Sequence, residues 1–223
     1  MNIVAINGSP HGEKGTTGML LAEVVREAQA AGASVTTLAV ADYKVGPCVA
    51  CDACHKTGKC PTKDDFHRFG DAMVAADGVI LASPNYLVSV TAQLKAVMDR
   101  CCGLLHCLAL KGKYSAAVVT SGGGGCQEVQ DYMLSFLRHM GSWTVGGASA
   151  TAAVLMSPPQ RARAMESAAG LGKTLVQAIR QGRTYPDQLV EQNAFAQRMR
   201  QLVEFRKELW AYEHEYWKSR GWL

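Results

Sequence analysis

The sequence carries little charge and no marked excess of one sign. Charged residues make up 19% of its 223 positions and leave a formal balance of +4, too mild to argue for a nucleic-acid partner. Long apolar runs are missing as well. The longest uncharged stretch, residues 141–160, is interrupted by Gly146, Gly147, Ser149, Thr151, Ser157 and Pro158, which makes a poor membrane span. The opening MNIVAINGSP has neither a basic n-region nor a long apolar h-region, so a secretory leader is not expected and a cytoplasmic, membrane-free location is. There is no internal repeat and no low-complexity tract. Two nucleotide-binding signatures are also absent. Glu13 stands where a Walker A loop needs its second glycine, and no G-x-G-x-x-G opens the first helix. Gly172-Lys173-Thr174 has the end of a Walker motif, but Ser167 occupies the first-glycine position and the surroundings read as helix.

Hydrophobic residues, at 48%, are ample for a core. Short apolar runs at 2–6, 34–40, 78–82, 114–120 and 143–150 read as buried strands. Helical periodicity lies between and after them, at 16–31, 63–76, 92–102, 127–140, 159–181 and 188–219, with Thr16 or Thr17 as the first N-cap. Five strands alternating with helices imply an α/β fold with a doubly wound parallel sheet. Residues 1–186 suffice for that domain, and 187–223 form a C-terminal helical arm. Three strands end in polar or glycine-rich loops: Gly8-Ser9-Pro10, Ser83-Pro84-Asn85-Tyr86, and Ser121 followed by Gly122, Gly123, Gly124 and Gly125. Strand C-terminal ends line the ligand crevice of such sheets, so the three loops are expected to meet. The first loop joins a strand to a helix. Its backbone N–H groups, with the Ser9, Thr16 and Thr17 hydroxyls, can surround a phosphate at the positive helix end, and His11 can add charge.

Eight cysteines are many for a chain of this size. A disulfide scaffold is usually small and core-poor, so the thiols here are read as reduced. Cys48, Cys51, Cys54 and Cys60 form C-x2-C-x2-C-x5-C followed by Pro61, inside the long connection 41–61. Four thiols so spaced can close around a cubane iron–sulfur cluster. Zinc also accepts four thiolates, although structural zinc sites more often pair two C-x2-C knuckles. Cys101, Cys102 and Cys107 read as buried or partly buried thiols. Cys126 falls beside the glycine run.

These segments, together with Ser89-Val90-Thr91-Ala92-Gln93-Leu94-Lys95 through Asp99-Arg100 and with Gln127-Glu128, resemble the iron–sulfur flavoproteins. That group is a branch of the NADPH-dependent FMN reductase family with a flavodoxin-like fold. The match spans about the first 150 residues; His11 and Thr16 stand where Arg and Asn are frequent. The resemblance implies one FMN per chain, its phosphate on Ser9, His11, Thr16 and Thr17. It implies a flavin ring against Pro84, Asn85, Tyr86 and Leu87, with Ser121 and Gly122 to Gly125 on its other edge. It also implies a [4Fe–4S] cluster on Cys48, Cys51, Cys54 and Cys60, and assembly as a homodimer or homotetramer.

The expected activity is an FMN-dependent oxidoreductase passing electrons between flavin and cluster. NAD(P)H or ferredoxin is the expected donor, and a small molecule or protein the acceptor. No nucleophile–base dyad is present and electron transfer needs none. Two alternatives stay open: a quinone or nitro-compound flavin reductase whose cysteine loop is structural or binds zinc, and a non-enzymatic redox or metal sensor. Six of the sixteen aromatics, namely Phe205, Trp210, Tyr212, Tyr216, Trp217 and Trp222, crowd the last nineteen residues. The arm is therefore expected to pack on a partner protomer.

Overall fold

The computed structural model describes residues 1–223. Five parallel strands, β1 (Asn2–Asn7), β2 (Ser34–Ala39), β3 (Gly78–Pro84), β4 (Tyr114–Ser121) and β5 (Trp143–Thr151), lie in the order β2-β1-β3-β4-β5. The interior strands are apolar on both faces because both faces are covered. On one side, Val4, Ile6, Val79, Leu81, Ala117 and Val119 pack under α3 (Phe66–Ala75), α4 (Ala92–Arg100) and α6 (Cys126–His139). The alternate residues Ile3, Ala5, Ile80, Ala82, Ala116 and Val118 pack under α1 (Thr16–Ala30) and α8 (Pro158–Gln181). Short helices complete the layers: α2 (Ala53–Thr57) inside the cysteine loop, α5 (Cys102–His106) after α4, and α7 (Ala152–Met156) after β5.

Two local expectations need correction. The helix expected over 92–102 is two, because Cys101 stands between α4 and α5. Neither Thr16 nor Thr17 caps α1; Gly15 holds the N-cap position without a side-chain bond. Thr17 is buried instead, its hydroxyl 2.6 Å from that of Thr120 on β4. Gly172, which opens the Walker-like triplet, lies mid-helix in α8. A Cβ there would stand 2.3 Å from the Val24 carbonyl of α1, so glycine permits the close crossing of these two helices.

The arm is two helices, α9 (Pro186–Phe205) and α10 (Ala211–Ser219). Against the expectation of a seat on a partner protomer, most of its aromatics pack on their own chain, while Phe205 is 81% exposed. Met199, Val203 and Trp217 form a small core with Leu108, and the Trp217 indole donates to the His106 carbonyl at 3.0 Å. Gln188 exchanges two hydrogen bonds with the Thr144 backbone (2.9 and 2.8 Å), and Gln192 donates to the Ser142 carbonyl at 2.8 Å. The arm thus covers the start of β5, an edge strand whose backbone groups need partners. No helix is long and apolar enough to cross a membrane.

Candidate functional site

The strand order reverses between β1 and β3, which puts the loops after β1, β3 and β4 side by side at one edge of the sheet. They are stitched together by hydrogen bonds. Gly8 donates its N–H to the Ala82 carbonyl at 2.8 Å, and the Thr91 hydroxyl donates to the Gly8 carbonyl at 2.7 Å. There is no spare room at Gly8, where a Cβ would stand 2.6 Å from that of Leu94. Within the first loop Asn7 acts as a brace. Its carboxamide donates to the Gly12 carbonyl (2.9 Å) and accepts from the Ser9 N–H (3.0 Å). Ser9 is buried and its hydroxyl accepts from the His11 N–H at 3.2 Å, while His11 and Thr16 are exposed. The uncapped first turn of α1 therefore faces this loop with N–H groups that no side chain satisfies.

The other two loops meet at Asn85. Its N–H donates to the Thr120 carbonyl at 2.6 Å and its side-chain amide to the Gly124 carbonyl at 2.8 Å. Two buried polar atoms here have no partner, Asn85 Oδ1 and Ser121 Oγ. Native interiors seldom leave such atoms unpaired, so each marks a place for an outside group. Above Gly122, Gly123 and Gly124 a Cβ would meet nothing within 4 Å, so a flat group can approach the backbone. Leu87 is 99% exposed and Val88 66% exposed, and both hold left-handed backbone (φ 52° and 59°). That conformation is costly for a β-branched residue, and strain of this kind clusters at ligand clamps. Pro84, Asn85, Tyr86 and Leu87 thus lie on one lip of the crevice, with Ser121 and the glycines on the other.

The cysteine loop lies elsewhere. Left-handed Ala50 and Asp52 turn the chain between its thiols. Cys48 and Cys51 are exposed; Cys54 and Cys60 are half-buried. The loop is held from behind by Arg100 of α4, which donates to Asp64, to the Gly46 carbonyl (3.4 Å) and to Cys60 Sγ (3.2 Å). Its guanidinium also lies 4.5 Å from the centre of the Phe66 ring. Burial opposes the ionised forms of Cys60 and Asp64, but hydrogen bonds from Arg100 and nearby backbone groups hold both below their usual values. No three of the loop's four thiols lie close enough together to grip a single ion. Beside the loop is a cavity of about 1200 Å³, lined among others by Cys54, Cys60, Arg100, Leu104, Tyr212 and Trp222. It is not the three-loop crevice.

One group escaped sequence reasoning. His55, next to Cys54, and His106, on α5, both reach Glu213 of α10. The Nδ1 to carboxylate distances are 2.5 and 3.1 Å. Glu213 is fully buried, at 0% exposure. The far nitrogens face Cys102, with Sγ 3.9 Å from His55 Nε2 and 3.7 Å from His106 Nε2. Trp210 stacks on His55 at 4.4 Å. Burial opposes the charge on both imidazoles. Cys102, Cys54 and Glu213 nonetheless raise His55 to about 12, and Cys102 and Glu213 raise His106 to about 9. Hydrogen bonds from His106 and His55 lower Cys102 to about 6, against its burial. By contrast, burial pushes Cys107 up to about 12 and Cys101 upward too, which marks them as inert core thiols. The Cys102-x3-His106 spacing on a helix was the available signal. The third and fourth members come from distant segments and no pattern joins them.

The fold and crevice define a class, and comparison with known proteins agrees with it. Residues 1–154 match the model of the NADPH-dependent FMN reductase family. The chain belongs to that family and is an FMN-dependent oxidoreductase. Within the family it belongs to the iron–sulfur flavoproteins. It is 36% identical over 142 residues to an iron–sulfur flavoprotein of Methanocaldococcus jannaschii, covering 62% of this chain and 73% of that one. A second iron–sulfur flavoprotein, from Archaeoglobus fulgidus, is 29% identical over 224 residues and aligns over 100% of both chains. A flavodoxin from the domain Archaea superposes with a TM-score of 0.54 at 14% identity, over 81% of this chain and 99% of that one, which bears on the fold alone.

Proposed function

We propose that this chain transfers electrons between FMN in the three-loop crevice and a [4Fe–4S] cluster held by Cys48, Cys51, Cys54 and Cys60. The observation that carries the flavin placement is the pair of unpartnered buried atoms, Asn85 Oδ1 and Ser121 Oγ, flanking open backbone at Gly122 to Gly124. Ser9, His11, Thr16 and the N–H groups at the start of α1 would hold the phosphate. Thr17 would contribute its backbone only, since its hydroxyl is engaged by Thr120. Pro84, Asn85, Tyr86 and Leu87 would bear one side of the ring, and Ser121 with Gly122 to Gly125 the other. FMN supplies the exchange between two-electron and one-electron chemistry, and the protein sets its position and potential.

The donor set supports a cluster over a single ion. Four thiols come from one loop, the number a cubane cluster takes at one per iron. Arg100 would donate to the Cys60 sulfur, a hydrogen bond of the kind that tunes cluster potential. NAD(P)H or ferredoxin would deliver electrons, and a small molecule or protein would accept them. The exposed tip at Tyr86, Leu87 and Val88 is apolar surface of the kind a homodimer or homotetramer would cover.

The test is the composition of anaerobically purified protein. Flavin absorption with about four iron and four sulfide per chain is expected. The Cys51→Ala variant should lose iron and sulfide and keep flavin. Flavin accompanied by zinc and no sulfide would instead assign the loop to structural zinc.

A further inference from the structure

We infer that His55, Cys102 and His106 form a second metal site, separate from the cysteine loop, which binds one zinc-like divalent ion with Glu213 as its supporting carboxylate. This does not rest on the flavin or the cluster. One ligand atom from each of His55, Cys102 and His106 lies within 4.8 Å of the other two, and no other three cysteine, histidine or acidic residues of the chain are gathered so closely. The two nitrogen–sulfur separations are 3.9 and 3.7 Å. A tetrahedral zinc with Zn–S of about 2.3 Å and Zn–N of about 2.0 Å needs edges of about 3.5 Å. Both nitrogen–sulfur edges are therefore within a few tenths of an ångström of that geometry.

The surroundings are those of a metal-binding histidine pair. Each imidazole gives its Nδ1–H to a different oxygen of Glu213. This fixes both rings so that each Nε2 faces Cys102, as outer carboxylates orient histidines at metal sites. The rings are stacked, with centroids 4.7 Å apart and planes at 20°. Trp210 covers His55 on the other face. Charge also balances: a Cys102 thiolate and the buried Glu213 carboxylate carry two negative charges, which one divalent cation neutralises. On binding, Cys102 coordinates as the thiolate, the proton on each Nε2 leaves to solvent, and the Nδ1 protons remain on the imidazoles. Two nitrogens and one sulfur suit zinc, and leave the fourth position to water or another donor.

A zinc titration of the full-length, flavin- and cluster-loaded protein tests the site. One zinc per chain is expected beyond the cluster iron. Its X-ray absorption spectrum should fit a single sulfur at about 2.3 Å with nitrogen or oxygen at about 2.0 Å. Cys102→Ser and His106→Gln should each weaken zinc by more than about 100-fold, and Glu213→Gln by about 10–100-fold, with iron, sulfide and flavin unchanged. The inference is overturned if the wild-type protein takes up no stoichiometric zinc, if the zinc carries three or four sulfurs, or if Cys102→Ser binds it as tightly as wild type. The absorption spectrum needs no variant, so a variant that misfolds does not blunt the test.

Discussion

Arg100 shows how one residue can organise a loop that has almost no regular structure. It is 4% exposed, and a buried guanidinium must be paired. Asp64, the Gly46 carbonyl and Cys60 Sγ supply the partners, so the two ends of the cysteine loop are tied to one helix. Arg100→Met leaves Asp64 without its cation in a half-buried setting. It should cost about 3–5 kcal/mol in urea unfolding, and Lys should not restore it, because the guanidinium bonds several partners at once. At the crevice, Gly125 has φ 70°, and a Cβ there would stand 2.6 Å from Asn85 Nδ2. Gly125→Ala is expected to displace Asn85 and weaken flavin binding about tenfold or more, measured by fluorescence titration of the apoprotein. Asn85 and the glycine run were readable in the sequence, because strand ends followed by polar turns have a compositional signature. The work of Arg100 was not. Its partners lie 36 to 54 residues away, and only the path of the loop brings them together.

At the scale of elements, the five-strand alternation was legible because parallel strands buried on both faces read as unbroken apolar runs. The helix crossings were not, since they depend on close approach rather than on pattern. At the crossing of α1 and α8, Gly172 sits against the Val24 carbonyl with no room for a Cβ. Gly172→Ala would be mild or even helpful on an isolated helix. Here the added methyl must push two helices apart, so a loss of about 1–3 kcal/mol is expected in chemical denaturation. Thr17 makes the same point. Its type suits a cap, but tertiary burial against Thr120 took it into the core.

Across the whole molecule, the arm is the part that sequence reasoning misplaced. Aromatic density identified it as a packing surface without saying whose. Its Glu191 accepts from Arg138 (2.6 Å) and Ser135 (3.0 Å) on α6. Burial opposes the charged form of Glu191, yet Arg138 and Ser135 hold its carboxyl below the usual range. A carboxylate depressed in the folded state stabilises it above the unfolded value of about 4.3, and that contribution is lost as pH falls through the folded value. The urea midpoints of wild type and Glu191→Gln should therefore differ at neutral pH, the gap widening as His139, 3.4 Å from the same carboxylate, takes up its proton, and should converge as pH falls through the folded value of Glu191.

Glu213 also has a consequence in time. It lies 158 residues after His55, near the C-terminus, and a ribosome makes the chain from the other end. At about 5–20 residues per second, the cysteine loop and its neighbouring histidine wait roughly 8–30 seconds on the nascent chain before their carboxylate exists. Throughout that interval the thiols lack the arm that later packs beside them. Every newly made copy thus passes through an open stage, which lasts at least until Glu213 has been made.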